Sequence, residues 1–240
     1  MSGALDLVNL RELMALTSGS PAVRVALIDS GFGRPATSDH ARFIAALQTA
    51  TTASICPQCS LLTYGTSTTT AASLAGSIDD AVLRSARVIN LACPKITCNE
   101  IEAKMLRAAL DFAAQRGVVV IGGANAATVI TQHPWVVTVA TCDLEGTPAT
   151  VIERPTFGRD LMAPGIEVES FDEGGVQHAN GASVAMPFVT GAVALLCSAH
   201  PNASGFAIRE ALLHVHAGRK PTTPPLLDAW QAYTFLRSTR

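Results

Sequence analysis

The chain has 240 residues, enough for one large α/β domain, and nearly half of them (48%) are hydrophobic. Only 15% are charged, and the formal net charge is −2. This composition excludes an intrinsically disordered chain and predicts a large buried core. No basic patch stands out, so nucleic acid is not an expected partner. We therefore expect a single domain over residues 1–240.

Neither a targeting segment nor a membrane span is predicted. The first residues lack the charged start and the long apolar stretch of a secretory signal. No run of about 18 residues is apolar throughout, which argues against a membrane-spanning helix. We expect a cytoplasmic protein with no membrane partner.

Apolar patterns along the chain predict alternating strands and helices. Strands are predicted at residues 24–28, 60–64, 88–91, 118–121 and 133–139. Helices are predicted at residues 5–16, 40–51, 71–85, 101–116, 188–199, from residue 204 onward and at 225–236. This alternation favours a mostly parallel, doubly wound sheet with helices on both faces, a three-layer α/β fold.

The first predicted strand carries a carboxylate at its end. Residues 25–31 read VALIDSG, an apolar run followed by Asp29. Such a run is typical of a strand buried on both faces. Open α/β sheets place their chemistry at the carboxyl ends of strands, which makes Asp29 a candidate catalytic residue. The alternative is a turn-forming role, because Asp-Ser-Gly is common in turns.

His40 opens the next predicted helix, with Ser38 or Asp39 as the candidate cap. It follows Asp29 by eleven residues, and a segment of that length spans roughly 35 Å when extended. The chain between them is therefore long enough to let the two side chains meet. An ordinary surface histidine is the alternative.

A later predicted strand runs into Gly122, Gly123 and, two residues on, Asn125. Glycines at a strand end leave room for a backbone or a ligand to come close. Asn125 offers an amide donor, but asparagine also tolerates left-handed turns. A purely structural role for Asn125 is therefore also open.

The segment GASVAMP at residues 181–187 presents a serine before an apolar helical run. Two interpretations of Ser183 are open. As a helix cap, its hydroxyl accepts a hydrogen bond from a backbone N–H. As a nucleophile, it attacks a carbonyl while nearby N–H groups stabilise the resulting oxyanion.

Six cysteines are present, and two of them form the motif Cys56-Pro-Gln-Cys59. A structural zinc site needs four ligands that converge in space. Cys56 and Cys59 precede a predicted strand whereas Cys93 follows one, and these positions lie at opposite edges of a parallel sheet. We expect no shared metal, and either free thiols or a local Cys56–Cys59 disulfide.

Four candidate residues follow the order of the functional residues of subtilisin: Asp29, His40, Asn125 and Ser183. Several segments extend this similarity. Residues 181–187 resemble the serine motif GTSMATP, and residues 25–31 resemble the aspartate strand. Residues 88–93 resemble the strand VINMSLG, and 162–165 resemble the turn APG. Over nearly its full length the chain resembles the subtilisin-like (S8 family) serine proteases.

The resemblance implies a role for each candidate. Asp29, His40 and Ser183 would form a catalytic triad, and the Asn125 amide would donate to the oxyanion. The implied substrate-binding positions are Ala92, Cys93, Pro94, Gly122 and Gly123. No metal or organic cofactor is implied, and residues 42–64 contain no carboxylate cluster for calcium.

Two departures from the family pattern leave other interpretations open. The motif HGTHVAG is reduced to HARFIAA at residues 40–46, and the segment before His40 lacks the usual extra hairpin. A pseudoprotease, which binds a peptide or a partner without cutting it, is the first alternative. An α/β-hydrolase is the second, although its Gly-x-Ser-x-Gly elbow lacks the closing glycine here.

The segments 10–33 and 55–62 resemble the subtilisin-like proteases that mature ribosomally made peptides, including the cyanobactin type. The resemblance implies a peptide or protein substrate, with a dedicated precursor peptide as the candidate. We therefore expect a serine endopeptidase that removes a leader from such a precursor.

Overall fold

The computed structural model describes residues 2–32, 37–50, 53–65, 70–92, 96, 98–125, 128–149, 159–172, 175–214 and 223–239. Its main strands are β1 (Arg24–Asp29), β2 (Ser60–Gly65), β3 (Ala86–Leu91), β4 (Val119–Gly123), β5 (Val137–Cys142) and β6 (Asp160–Pro164). They form one sheet in the order β2-β1-β3-β4-β5-β6, with every neighbouring pair parallel. An antiparallel hairpin follows, made of β7 (Val168–Asp172) and β8 (Gly175–Ala179).

Helices cover both faces of the sheet. They are α1 (Ser2–Leu7), α2 (Leu10–Leu16), α3 (Asp39–Ala45), α4 (Ala71–Leu83), α5 (Glu100–Gln115), α6 (Thr128–Thr131), α7 (Ala182–Ala199), α8 (Gly205–His214) and α9 (Ala229–Ser238). A π-helical turn, Ala46–Ala50, continues α3. Helices α4, α5 and α6 pack on one face, and the others pack on the opposite face.

The sheet separates two hydrophobic cores. Along β1, Val25 and Leu27 point into one core, while Ala26 and Ile28 point into the other. Alternate side chains of a strand face opposite sides of the sheet, so an unbroken apolar run is what a strand between two helical layers needs. The predicted three-layer, doubly wound α/β fold is confirmed.

Helix α7 crosses the larger core and packs against β3, β4, β5 and β6. Its residues from Val184 to Cys197 are buried without interruption. Within the described part of the chain, it is the helix long and apolar enough to cross a membrane, with a mean hydropathy of 1.8, but 78% of it is buried inside the fold. Its apolar character is therefore accounted for by the core. It also begins six residues before the predicted start at 188 and runs through Pro187.

Two predicted helices differ in detail. The segment 5–16 forms α1 and α2 rather than one helix, because Asn9 between them adopts a left-handed φ of 50°. The segment 225–236 becomes helical only at Ala229, where the side chain of Asp228 accepts a hydrogen bond from Gln231 N at 2.8 Å. A cap of this kind fixes the start of a helix more firmly than the apolar pattern does.

The strand predicted at 133–139 begins at Val137 instead. Two arginine side chains explain the difference, because they take up the carbonyl groups of the preceding residues. Arg209 Nη2 donates to Pro134 O at 2.8 Å, and Arg159 Nη1 donates to His133 O at 2.5 Å. These carbonyls are satisfied without a neighbouring strand, so residues 133–136 form a turn.

The close approach of α7 to the segment before β2 gives a stability prediction. A Cβ at Gly191 would lie 2.3 Å from Ile55 Cγ2, whereas a Cβ at Gly76 on α4 would meet nothing within 4 Å. Gly191→Ala is expected to lower the free energy of unfolding by about 1–3 kcal/mol through overpacking. Gly76→Ala, the matched control, is expected to leave it unchanged or raise it by up to about 1 kcal/mol. Urea denaturation measures both, and equal stabilities would contradict the packing described.

Candidate active site

The carboxyl edge of the sheet brings three predicted residues together. Asp29 ends β1, which lies between β2 and β3, where the order of the strands reverses. In open α/β sheets the crevice at such a reversal is where ligands bind. Helix α3 places His40 above this point, and the start of α7 places Ser183 beside His40.

The three side chains form a hydrogen-bonded series. His40 Nδ1 lies 2.9 Å from Asp29 Oδ2, and His40 Nε2 lies 2.8 Å from Ser183 Oγ. The Asp29 side chain is only 3% exposed, whereas that of His40 is 44% exposed. A buried carboxylate is thus joined through a ring at the solvent boundary to a hydroxyl that a substrate can reach.

Asp29 satisfies both interpretations that the sequence left open. Its Oδ1 accepts a hydrogen bond from Gly31 N at 2.7 Å, as in a turn, while its Oδ2 faces His40. The turn bond therefore fixes the orientation of the carboxylate toward the imidazole. The sequence signal for this bond was the Asp-Ser-Gly turn itself.

The N-terminal cap of helix α3 determines the position of His40. Ser38 is the N-cap of α3, and its side chain accepts a hydrogen bond from Ala41 N at 3.2 Å. The Ser38 backbone N–H donates to Gly31 O at 2.9 Å, which ties the start of α3 to the turn after β1. The short segment between Asp29 and His40 is therefore long enough to join the two sites, and residues 33–36 lie outside the described part of the chain.

Ser183 is not the cap of its helix. Gly181 occupies the N-cap position of α7 with a φ of 132°, a conformation that favours glycine, and no side chain caps the helix there. The Gly181 N–H donates to Gly165 O at 2.8 Å, and the Gly165 N–H donates to Cys142 O at 3.0 Å. These two bonds tie the start of α7 to the end of β5 and leave the Ser183 hydroxyl directed at His40.

Sequence reasoning missed a second tie at the same place. The Asn180 side chain accepts a hydrogen bond from Glu167 N at 2.5 Å, and its Nδ2 donates to Glu167 Oε1 at 3.0 Å. The pair joins the turn before β7 to the residue before Gly181. No pattern linked residues 167 and 180, because their contact depends on how the β7–β8 hairpin folds back.

Asn125 lies next to the start of α7. A Cβ at Gly123 would lie 2.7 Å from Asn125 Oδ1 and 3.2 Å from the Cβ of Ala182. Gly123 therefore lies against both Asn125 and Ala182, and this close approach is possible because Gly123 has no side chain. Asn125 is exposed, so its amide is accessible to a bound substrate.

The predicted substrate-binding positions are only partly described. Ala92 is buried directly after β3, and Gly122 is buried against Ile130 Cγ2, which a Cβ would meet at 3.0 Å. Gly123 lies beside Asn125, as described above. Cys93 and Pro94 lie outside the described residues.

The electrostatics of the site favour one tautomer of His40. The hydrogen bond that His40 Nδ1 donates to Asp29 raises the pKa of His40 above its ordinary 6.5, against the opposing effect of burial. A carboxylate at Nδ1 keeps the proton on that nitrogen, so Nε2 of the neutral ring can accept the proton of Ser183 Oγ. The arrangement can therefore activate the hydroxyl as a nucleophile.

Metal binding is not supported by the described residues, where no group of three or more His, Cys, Asp or Glu side chains converges. The expected lack of a calcium site between residues 42 and 64 stays a prediction. Cys56 and Cys59 are free thiols, so the first of the two predicted alternatives holds for this pair.

Solved structures share this fold over almost the whole chain. The prenylagaramide maturation protease PagA aligns with a TM-score of 0.80 and 20% identity, covering 95% of this chain and 98% of that one. The PatG macrocyclase in complex with peptide aligns with a TM-score of 0.78 and 16% identity over 96% of each chain. The patellamide maturation protease PatA aligns with a TM-score of 0.75 and 21% identity, covering 92% and 98%. The fold is therefore that of the subtilisin-like α/β proteins.

The sequence family is also defined. The model of the subtilase family, Peptidase_S8, matches residues 35–226, and the chain belongs to this family. Subtilisin of Bacillus pumilus is 44% identical over 54 residues, which are 22% of this chain and 20% of that protein. Subtilisin E of Bacillus subtilis (strain 168) is 44% identical over 54 residues, or 14% of its length. The matched segment thus spans a fifth or less of these relatives.

The His40 titration tests the geometry directly. Because Asp29 raises the pKa of His40 in the folded state, the His40–Asp29 interaction stabilises the fold fully below pH 6.5, and this contribution is lost as pH rises through the folded pKa. Asp29→Asn is expected to lower the His40 pKa and to remove this pH dependence of stability. Proton NMR and urea denaturation measure the two effects.

His133 serves as the internal control for this titration. Burial lowers the pKa of its ring, and its hydrogen bond goes to Asp111 rather than Asp29. Its titration is therefore expected to be the same in Asp29→Asn as in the wild type. An unchanged His40 titration in the variant would contradict the Asp29–His40 contact.

Proposed function

We propose that this chain is a serine endopeptidase, a single peptidase domain over residues 1–240. The observation that carries the proposal is the series of hydrogen bonds at 2.9 and 2.8 Å that joins Asp29, His40 and Ser183. Membership of the subtilase family supports the reaction class. No metal or organic cofactor is needed for this chemistry.

In the first half of the reaction, Ser183 Oγ attacks the carbonyl carbon of the scissile peptide bond and its proton passes to His40 Nε2. Asp29 holds the ring in place and stabilises the imidazolium that forms. The Ser183 backbone N–H and the Asn125 amide donate to the oxyanion of the tetrahedral intermediate. The C–N bond then breaks as His40 returns the proton to the leaving amine, and an acyl-enzyme remains.

In the second half, water attacks the ester carbonyl and gives its proton to His40 Nε2. The second tetrahedral intermediate collapses, the bond to Ser183 Oγ breaks, and His40 returns the proton to the serine. Asn125 is suited to its role because it is exposed and lies, like Ala182, against Gly123, and Ala182 is one residue before the nucleophile.

A fluorophosphonate probe tests this proposal, because the probe labels only an activated serine. Wild-type protein is expected to be labelled at Ser183 and to cleave peptides, and Ser183→Ala is expected to lose both properties. Ser198→Ala is the matched control on the same helix, since its hydroxyl donates to Ala194 O at 2.8 Å, and it should be labelled normally.

Asn125→Ala should lower kcat by about 10²–10³-fold, the loss known for this donor in a subtilisin.

The same assay decides between the protease and the pseudoprotease. The reduced motif at residues 40–46 is the observation that favours a non-cleaving protein. A wild-type chain that binds peptide but is not labelled, with labelling no greater than in Ser183→Ala, would favour the pseudoprotease and contradict the endopeptidase.

We further propose that the substrate is a ribosomally made precursor peptide, cleaved in the cytoplasm to remove its leader. The similarity of fold to the maturation proteases PagA and PatA, over 95% and 92% of this chain, supports this class of substrate. The sequence similarity at residues 10–33 and 55–62 points to the same group.

A precursor encoded beside the gene for this chain provides the test. We expect cleavage at one position between leader and core, seen by mass spectrometry, and no cleavage with Ser183→Ala. Casein serves as the unrelated substrate. Cleavage of casein with the precursor left intact would contradict the dedicated substrate while leaving the endopeptidase in place.

A further inference from the structure

A pair of thiols lies away from the candidate active site. Cys56 and Cys59 stand just before β2, at the amino end of the sheet, whereas Asp29 stands at its carboxyl end. In the register of β1 and β2, Arg24 pairs with Ser60 and Asp29 pairs with Gly65, so the two sites are about 17 Å apart along the strands. The proposed hydrolytic reaction does not use this pair.

The backbone holds the two cysteines at disulfide distance. Cys59 N donates to Cys56 O at 3.0 Å, which closes a tight turn. The Cα atoms at the ends of such a turn lie within about 7 Å, and a disulfide needs Cα atoms roughly 4.4–6.8 Å apart. The two thiols are close enough for each to shift the pKa of the other. Formation of a bond between the two sulfurs therefore needs little movement of the chain.

The surrounding segment is fixed independently of the thiols. Residues 54–56 bond to carbonyls of the π-helical turn, with Ile55 N donating to Leu47 O and Cys56 N donating to Gln48 O, both at 2.9 Å. On the other side, Gln58 N donates to Ser18 O at 2.9 Å. The Cys56 thiol also lies 3.1 Å from Gln48 O, but the Cys56 N–H still satisfies this carbonyl if the thiol hydrogen is lost.

The two thiols differ in reactivity. Hydrogen bonds from the Cys56 thiol and the Ser20 backbone lower the pKa of Cys59 to about 7, against the effect of burial. The hydrogen bond to Cys59, together with burial, holds the pKa of Cys56 well above its usual range. Cys59 is therefore the thiolate that reacts first, and Cys56 is the thiol that follows.

We propose that Cys56 and Cys59 form a reversible dithiol–disulfide site that small hydroperoxides oxidise. A small oxidant is required because Cys59 is only 7% exposed and Cys56 is fully buried. The oxidised site closes residues 56–59, directly before β2, into a small covalent loop.

The chemistry takes place in two steps. The Cys59 thiolate attacks one oxygen of hydrogen peroxide, the O–O bond breaks, and a sulfenic acid and hydroxide form. Cys56 sulfur then attacks the sulfenic sulfur, the S–S bond forms and the S–O bond breaks, and the thiol proton leaves with the oxygen as water. In sum, two thiols and one peroxide give one disulfide and two waters, and an added dithiol reductant reverses the change.

The test uses Ser183→Ala protein as well as the wild type, so that its result does not depend on the proposed hydrolysis. Each is treated near pH 7 with a small excess of hydrogen peroxide, unfolded in a maleimide and mapped by peptide mass spectrometry. We expect the loss of two free thiols, both in the peptide that carries Cys56 and Cys59, and their return after dithiothreitol. The oxidation rate is expected to rise with pH around a midpoint of about 7.

Variants separate the two sulfurs. Cys56→Ser is expected to stop at the sulfenic acid of Cys59, which dimedone traps, and Cys59→Ser is expected to lose no thiol. Cys142→Ser is the control, because burial raises the pKa of Cys142 to about 11, and the Cys56–Cys59 disulfide should form in it as in the wild type.

Three results would overturn the proposal, and the wild type alone supplies each of them. The first is that the Cys56 and Cys59 thiols stay reduced while free cysteine in the same solution is oxidised. The second is a disulfide between Cys59 and Cys197 instead of Cys56. The third is an oxidation rate whose pH dependence has no midpoint near pH 7. Slower amide hydrogen exchange in residues 56–59 after oxidation is the further expected result, and unchanged exchange would contradict the closing of this loop.

Discussion

The buried carboxylate of Asp29 is the constraint on which the candidate site depends. A carboxylate buried at the end of a central strand is costly unless its oxygens are hydrogen-bonded. One oxygen is bonded by the Gly31 N–H and the other by His40 Nδ1. These two bonds bring the turn after β1 and the start of α3 together, and they leave His40 Nε2 facing the serine.

The serine is held by elements that also form the core. Helix α7 is buried along most of its length, so its packing against the sheet fixes where its first turn lies. The Gly165–Gly181 hydrogen bond and the Asn180–Glu167 pair then fix the approach to that turn. A site built on a buried helix and a strand end is more rigid than one built on loops alone. The same packing that stabilises the fold therefore positions the hydroxyl.

The histidine motif of the family is reduced in this chain, and the connection before His40 is shortened. Residues 40–46 keep only the first histidine and the helical pattern of the motif. The orientation of that histidine, however, comes from the Ser38 cap and from Asp29 rather than from the residues that follow it. Loss of the rest of the motif is therefore compatible with an imidazole within hydrogen-bond reach of Ser183.

The amino-acid sequence alone determined the secondary-structure elements that follow from the local pattern of apolar residues. The apolar run before Asp29 predicted a doubly buried strand, because a strand between two helical layers is apolar at successive positions. The alternation of strands and helices predicted the parallel sheet. It also put Asp29 at a strand end and Ser183 at the start of a helix. The local pattern left Asp29 open between a turn-forming and a catalytic role, and Ser183 open between a cap and a nucleophile; the family resemblance favoured the catalytic roles. Whether the three side chains meet depends on two contacts. One joins residues that are 11 positions apart in the chain, and the other joins residues that are 143 positions apart. Only the tertiary structure decided them, as it decided the late start of β5 beneath Arg159 and Arg209, because side-chain hydrogen bonds between distant segments leave no periodic signal.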